Sequence, residues 1–264
     1  MPTPIFQSTN FSIYPIAAYI ETLFLVEYAH GLLLLDGGCR CDVKQITDFI
    51  EQELRRPISD LKLMVITHPH PDHSGAAPQL QRQYRIPIAA SPTVNDWYTG
   101  FDGWMTQKVD IALTYYVARK MQKPLKHLRF PRTIQIDYPL REGETLPRFP
   151  DWQLWRTAGH TVVDTSVVNL DASVAYVADV LIGLGTRYSL PYPISDPVQY
   201  RATLERFKNA NLNTLLLAHH GRHEIDNAIW EQLIAQIPSR PKNHIASVHK
   251  RLRWLVPFGS SENS

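Results

Sequence analysis

The sequence predicts an α/β fold, and three observations carry that prediction. Apolar runs of strand length open the chain, a stretch of helical periodicity follows them, and from there strand-like and helix-like segments alternate. Residues 14–26 and 32–36 are the opening strand-like runs. Residues 42–55 read as a helix, since Val43, Ile46, Phe49, Ile50 and Leu54 recur every three or four positions. Residues 61–67 (LKLMVIT) are apolar and partly β-branched, the composition of a strand inside a sheet. Ser74 and Gly75 allow a tight turn into a helix over 76–84, with Ser74 as its N-cap. A strand over 86–91 leads into residues 92–131, rich in aromatics (Trp97, Tyr98, Phe101, Trp104, Tyr115, Tyr116). There Met105, Val109, Ala112, Leu113 and Tyr116 share one helical face, so a helical insertion is expected. Strands over 152–157, 173–178 and 214–218 complete the alternation. A last helix over 243–256 has Ile245, Val248, Leu252 and Leu255 on one face, suited to docking on the rest of the chain.

The chemistry sits at the ends of the strands. The run His68-Pro69-His70-Pro71-Asp72-His73 places four metal-ligand side chains within six residues, directly after an apolar strand. Pro69 and Pro71 bias the residues before them toward extended conformations, so His68 and His70 project to one side of a stiff backbone and face one ion. The turn at Ser74-Gly75 then swings Asp72 and His73 toward a second ion beside the first. Two metals need more donors, and three later strands each end in one. His160 follows the sharp turn at Gly159; Asp179 follows Ala178 and can bridge two cations as a hard oxygen ligand; His219-His220 precedes Gly221. His30, His127, His244 and His249 stand alone and read as surface or core residues.

Composition narrows the function class. A chain of 264 residues, 44% hydrophobic and 20% charged, can bury a sizeable core, and one domain over 1–264 is expected. With 27 basic and 25 acidic residues the formal charge is +2, too even for an electrostatic nucleic-acid surface. The opening MPTPIFQSTN has neither a basic n-region nor an apolar h-region, and no run approaches the roughly 20 apolar residues of a membrane span. Cys39 and Cys41, one residue apart, make no easy disulfide. A cytoplasmic protein without stable membrane association is expected.

These motifs resemble those of the metallo-β-lactamase-fold hydrolase superfamily: an early Asp, HxHxDH, a GH turn, an Asp after a strand, and a late His before Gly. All five occur in order across about residues 5–225. The resemblance implies a four-layer αββα sandwich of two mixed β-sheets flanked by helices. It implies that His68, His70 and His160 hold one metal, that Asp72, His73 and His220 hold the other, that Asp179 bridges them, and that Asp36 orients the histidine loop. His220 is preferred to His219 because the family usually places this ligand immediately before the glycine. The chain departs from the family in Ala178, where Gly is common, and in Val162-Val163, where Pro-Gly is common. Subclasses with a Cys ligand are excluded, since Cys39 and Cys41 lie far from the metal positions.

The resemblance further implies two divalent ions, zinc first among them, and hydrolysis by a metal-bridging hydroxide that Asp72 and Asp179 orient. Ester, lactone and thioester small molecules are the preferred substrates. A glutathione-thioester hydrolase would carry a longer helical C-terminal region. A flavodiiron-type reductase would have Glu in place of His70, and related nucleases carry RNA-binding arms. A mononuclear iron sulfur dioxygenase, a phosphodiesterase and a non-catalytic scaffold are the alternatives. Residues 92–131 suit a lid over the site or the contact of a homodimer.

Overall fold

The run Gly31–Leu35 shows how the layers arise. All its residues are buried, and alternation sends Leu32 and Leu34 to one core and Leu33 and Leu35 to another. A strand buried on both faces must be sandwiched. At about 1.5–3 kcal/mol per fully buried aliphatic side chain, this run anchors both cores.

The computed structural model describes residues 2–185 and 187–242. β1 (Phe6–Gln7), β2 (Phe11–Ala17), β3 (Thr22–Tyr28), β4 (Gly31–Leu35), β5 (Leu61–Ile66), β6 (Ile88–Ala90) and β7 (Tyr138–Pro139) form a seven-stranded sheet in that order. It is antiparallel from β1 to β4 and parallel from β4 to β7. β8 (Thr145–Leu146), β9 (Phe149–Arg156), β10 (Thr165–Asn169) and β11 (Val174–Ala178) lead to a separate hairpin, β12 (Ile182–Leu184) and β13 (Arg187–Ser189). β14 (Thr214–Leu217) and β15 (Gly221–His223) complete a six-stranded sheet of order β15-β14-β11-β10-β9-β8, in which only β11 and β14 pair parallel.

Helices cover both outer faces. α1 (Val43–Asp48), continued by the wider turns of Phe49–Glu53, and, beyond the short α2 (Pro71–Ser74), α3 (Ala77–Tyr84) pack on the first sheet. There Val43, Ile46, Phe49 and Leu80 meet Leu23, Leu25, Leu34 and Met64. α4 (Gly100–Lys120) follows, then α5 (Pro197–Ala210) and α6 (Asn227–Ala235), which set Tyr200, Leu204, Phe207 and Trp230 against Val168, Val177 and Leu217 of the second sheet. Asp196 caps α5 by accepting from the amides of Val198 and Gln199, with Pro197 at the first helical position. Between the sheets lie Phe24, Leu33, Val65, Trp152, Leu154, Val167 and Tyr176. This is the expected four-layer arrangement of two mixed sheets flanked by helices.

Three differences from the sequence reading have physical causes. Residues 14–26 are two strands rather than one, because the amide of Ala18 donates to the carbonyl of Glu21 and turns the chain. Ser74 does not cap α3; it ends α2, and its hydroxyl donates back to the carbonyls of Pro69 and His70. α4 lies inside the expected insertion but is turned from its predicted face. Its buried residues are Gly103, Gln107, Asp110, Thr114 and Ala118, while Met105 and Tyr116 are 45% and 54% exposed. The helix buries a polar stripe because what it covers is polar. The expected C-terminal helix over 243–256 lies outside the described residues.

Candidate metal centre

The segments leaving β4, β5, β9, β11 and β14 at their carboxyl ends converge on one rim of the sandwich; the last four deliver metal donors, and the first delivers Asp36, which orients them. After β5, His70 is extended (φ −60, ψ 154) ahead of Pro71, which starts α2 and turns Asp72 and His73 inward. After β9, Gly159 (φ 148) presents His160; a Cβ there would lie 2.4 Å from Cβ of Tyr200, so the turn requires glycine. At the end of β11, Ala178 adopts φ 47, which explains why glycine suits the position before Asp179.

The donors form two groups. In the first, His70 Nδ1 lies 3.1 Å from Nε2 of both His68 and His160, and Asp179 Oδ2 stands 3.9 and 3.5 Å from those same two nitrogens. Tetrahedral coordination at 2.0–2.1 Å would set such atoms about 3.4 Å apart, close to what is observed. In the second, Asp179 Oδ1 lies 3.4 Å from Nε2 of both His73 and His219, and Asp72 Oδ2 is 3.5 Å from His219 Nε2. Among the described residues Asp179 Oδ1 and His73 Nε2 are buried without a hydrogen-bond partner, and a cation would supply the missing interaction.

Electrostatics agree with this fit. Burial keeps His68 well below, and His160 below, the ordinary imidazole range, so both present lone pairs. Around His73, burial works against charge, but Glu21, Asp179, Asp72 and Asp36 outweigh it and raise its pKa well above the ordinary value. Burial would raise Asp179, yet His73 and His219 hold it well below the usual carboxylate range. A field that strong suits a multivalent cation.

Asp36 ties the groups together. It is fully buried; Oδ1 accepts from the amide of Thr67 at 2.8 Å. Oδ2 accepts from Thr67 Oγ1, His73 Nδ1 and Tyr176 Oη, each at 2.7 Å. Thr67 Oγ1 in turn lies 3.1 Å from His68 Nδ1, so Asp36 orients a histidine of each group.

The late histidine requires a correction. The structure brings His219, not His220, to Asp72 and Asp179. The chain leaves β14 through positive φ at both His220 (120) and Gly221 (88), which turns His220 outward. Its Nε2 accepts from the amide of Gly185, and its Nδ1 lies 3.1 Å from His223 Nε2. His223 reaches Tyr188 Oη at 3.0 Å, so this pair braces the β12–β13 hairpin. His68, His70, Asp72, His73, His160 and Asp179 are brought together as the motif suggested. Two residues with no sequence signal join them. Glu21 is buried, with neither oxygen hydrogen-bonded among the described residues and Oε2 3.5 Å from His73 Nδ1. Asp110 of α4 approaches His70. Cys39 and Cys41 are unbridged thiols outside these groups.

A cavity of about 670 Å³ opens above Asp72, His160, Asp179 and His219. Leu113 and Val117 of α4, with Met121 just past its end, form one apolar wall, and Ile182, Pro191 and Tyr192 another. Among the described residues no helix is long and apolar enough to cross a membrane.

Comparison with known proteins points one way. Residues 19–219 match the sequence model of the metallo-beta-lactamase superfamily. A probable metallo-hydrolase of Bacillus subtilis, YflN, is 26% identical over 157 residues; the match covers 58% of this chain and 56% of that protein, so it spans little more than half of each. A metallo-beta-lactamase family protein of Thermus thermophilus superposes with a TM-score of 0.64 at 18% identity, covering 92% of this chain and 82% of the other. An archaeal superfamily member from Sulfolobus tokodaii gives 0.60 at 18% identity, over 96% and 91%. A subclass B3 metallo-beta-lactamase of Bradyrhizobium japonicum gives 0.59 at 18% identity, over 96% and 95%. At these identities the structural likenesses establish the fold.

Proposed function

The chain belongs to the metallo-beta-lactamase superfamily, whose members bind divalent metal, and from that membership we propose a hydrolase that works with two zinc ions on a small-molecule ester, lactone or thioester. The observation that supports it best is Asp179, whose Oδ2 faces His68 and His160 while its Oδ1 faces His73 and His219. In this reading His68, His70 and His160 would hold one ion and Asp72, His73 and His219 the other, with Asp179 available to each. Imidazole and carboxylate donors in this proportion suit zinc.

When bound, such a pair supplies Lewis-acid polarisation of the electrophile and a water that ionises near neutral pH. The chain's own residues do the rest. Asp72 and Asp179, both lining the cavity, orient the attacking water. The apolar walls seat an acyl or alkyl group and keep bulk water from the reacting carbonyl. No side-chain nucleophile is called for, and Cys39 is fully buried.

Elemental analysis of the purified protein, followed by ester, lactone and thioester panels, tests the reading. About two zinc ions per chain with turnover of one panel is the expected result. One iron per chain, or no metal retained after reconstitution, would overturn it.

A further inference from the structure

We infer that Asp110, carried by α4, is a positioning residue for His70, which makes this helix part of the metal centre rather than a detachable lid. The inference rests on the metal reading above. A neutral imidazole that turns one nitrogen's lone pair toward an ion carries its proton on the other nitrogen, and that N–H needs an acceptor to fix the ring. His68, His73 and His160 each have one: Thr67 Oγ1 at 3.1 Å, Asp36 Oδ2 at 2.7 Å and the carbonyl of Pro193 at 2.8 Å. His70 differs from these three because it turns Nδ1, not Nε2, toward its neighbours, so its N–H must be on Nε2. Facing that atom at 3.6 Å is Asp110 Oδ2.

Asp110 is built to hold that place. It is 5% exposed and accepts from Tyr98 Oη at 2.9 Å and from Trp97 Nε1 at 3.4 Å, both onto the oxygen that faces His70. The Trp97 ring stands edge-to-face to His70 with centroids 6.1 Å apart, closing the side of the imidazole. This accounts for a helix that buries its polar stripe: Gln107 fixes the helix by donating to the carbonyl of Phe130 at 3.1 Å, and Asp110, on the same stripe, reaches the histidine. The same helix lines the cavity one and two turns on, at Leu113 and Val117.

The test is Co²⁺ titration of the apo-protein, read by visible absorption and by competition with a chromophoric chelator, for wild type, Asp110→Asn and Gln107→Leu. Asp110→Asn is nearly isosteric, and with its amide oxygen kept toward Tyr98 and His70 it removes the carboxylate's charge without opening a cavity. It is expected to weaken the three-histidine site about 10- to 100-fold and shift its visible bands, with the other site near wild type. Gln107→Leu should lower the unfolding midpoint at least as much as Asp110→Asn does, yet leave Co²⁺ affinity unchanged. Wild-type affinity and spectrum in Asp110→Asn, or an equal loss in Gln107→Leu, would overturn this inference alone. A wild-type protein that takes up no Co²⁺ would overturn the hydrolase reading together with it.

Discussion

Replacing Asp36 should damage both donor groups at once, although it is not itself proposed to touch metal. Asp36 holds four donors, three on Oδ2 and one on Oδ1, and occupies the left-handed region at φ 62. Asparagine tolerates that conformation, so Asp36→Asn isolates the hydrogen bonds, whereas alanine adds about 1–2 kcal/mol of backbone strain. With the amide oxygen kept at the Oδ2 position, the NH₂ faces the Thr67 amide 2.8 Å away, and that buried donor is left without an acceptor at a cost of about 1–3 kcal/mol. Loss of the negative charge weakens the other three bonds, and the total comes to about 2–4 kcal/mol. A domain stable by about 5–15 kcal/mol survives that. Urea unfolding followed by tryptophan fluorescence measures it. Co²⁺ titration of the same variant should show both sites weakened about 10- to 100-fold, since His73 loses its charged acceptor directly and His68 through Thr67. Stability within about 0.5 kcal/mol of wild type, with both sites at full affinity, would refute the reasoning.

His219→Ala should leave about one ion per chain by elemental analysis. His220→Gly should keep both ions and gain stability from relief of the φ 120 strain, about 1 kcal/mol less what the bond from Gly185 contributes; loss of an ion there would restore His220 as the ligand. Gly159→Ala must push its new Cβ into Tyr200, so a loss of about 3 kcal/mol or more, together with weakened three-histidine binding, is expected in thermal and Co²⁺ titrations. Burial raises the Asp42 pKa from 3.8 to about 6, so between those values the native state binds more protons than the unfolded chain. The stability contributed by this one carboxyl should therefore fall by about 3 kcal/mol as pH rises through that window and change no further above it. Asp42→Asn, which still accepts from the amide of Cys39, should flatten that dependence in urea melts with chelator present at pH 4.5 and 7; parallel curves for the two proteins would reject the assignment.

What could be read from the sequence divides along a physical line. The HPHPDH run was legible because its prolines fix the backbone locally, so the direction of each side chain follows from the residues themselves. Asp36 and Asp179 were legible for a similar reason: each follows a run apolar enough to be a buried strand, whose end is where a polar side chain meets solvent or a ligand. The choice between His219 and His220 depends on two successive residues of positive φ, and nothing in AHHG says which residue before the glycine takes the strained conformation. α4 misled for a deeper reason. Reading a packing face from apolar periodicity assumes that what lies beneath the helix is apolar. Where a helix lies over a charged centre, the buried stripe is the polar one, Gln107, Asp110 and Thr114, and Phe101, Trp104 and Tyr116 are left outside. A helix whose apolar spacing disagrees with its burial is thus itself a pointer to a polar site beneath it, and here it points to the histidine that Asp110 faces.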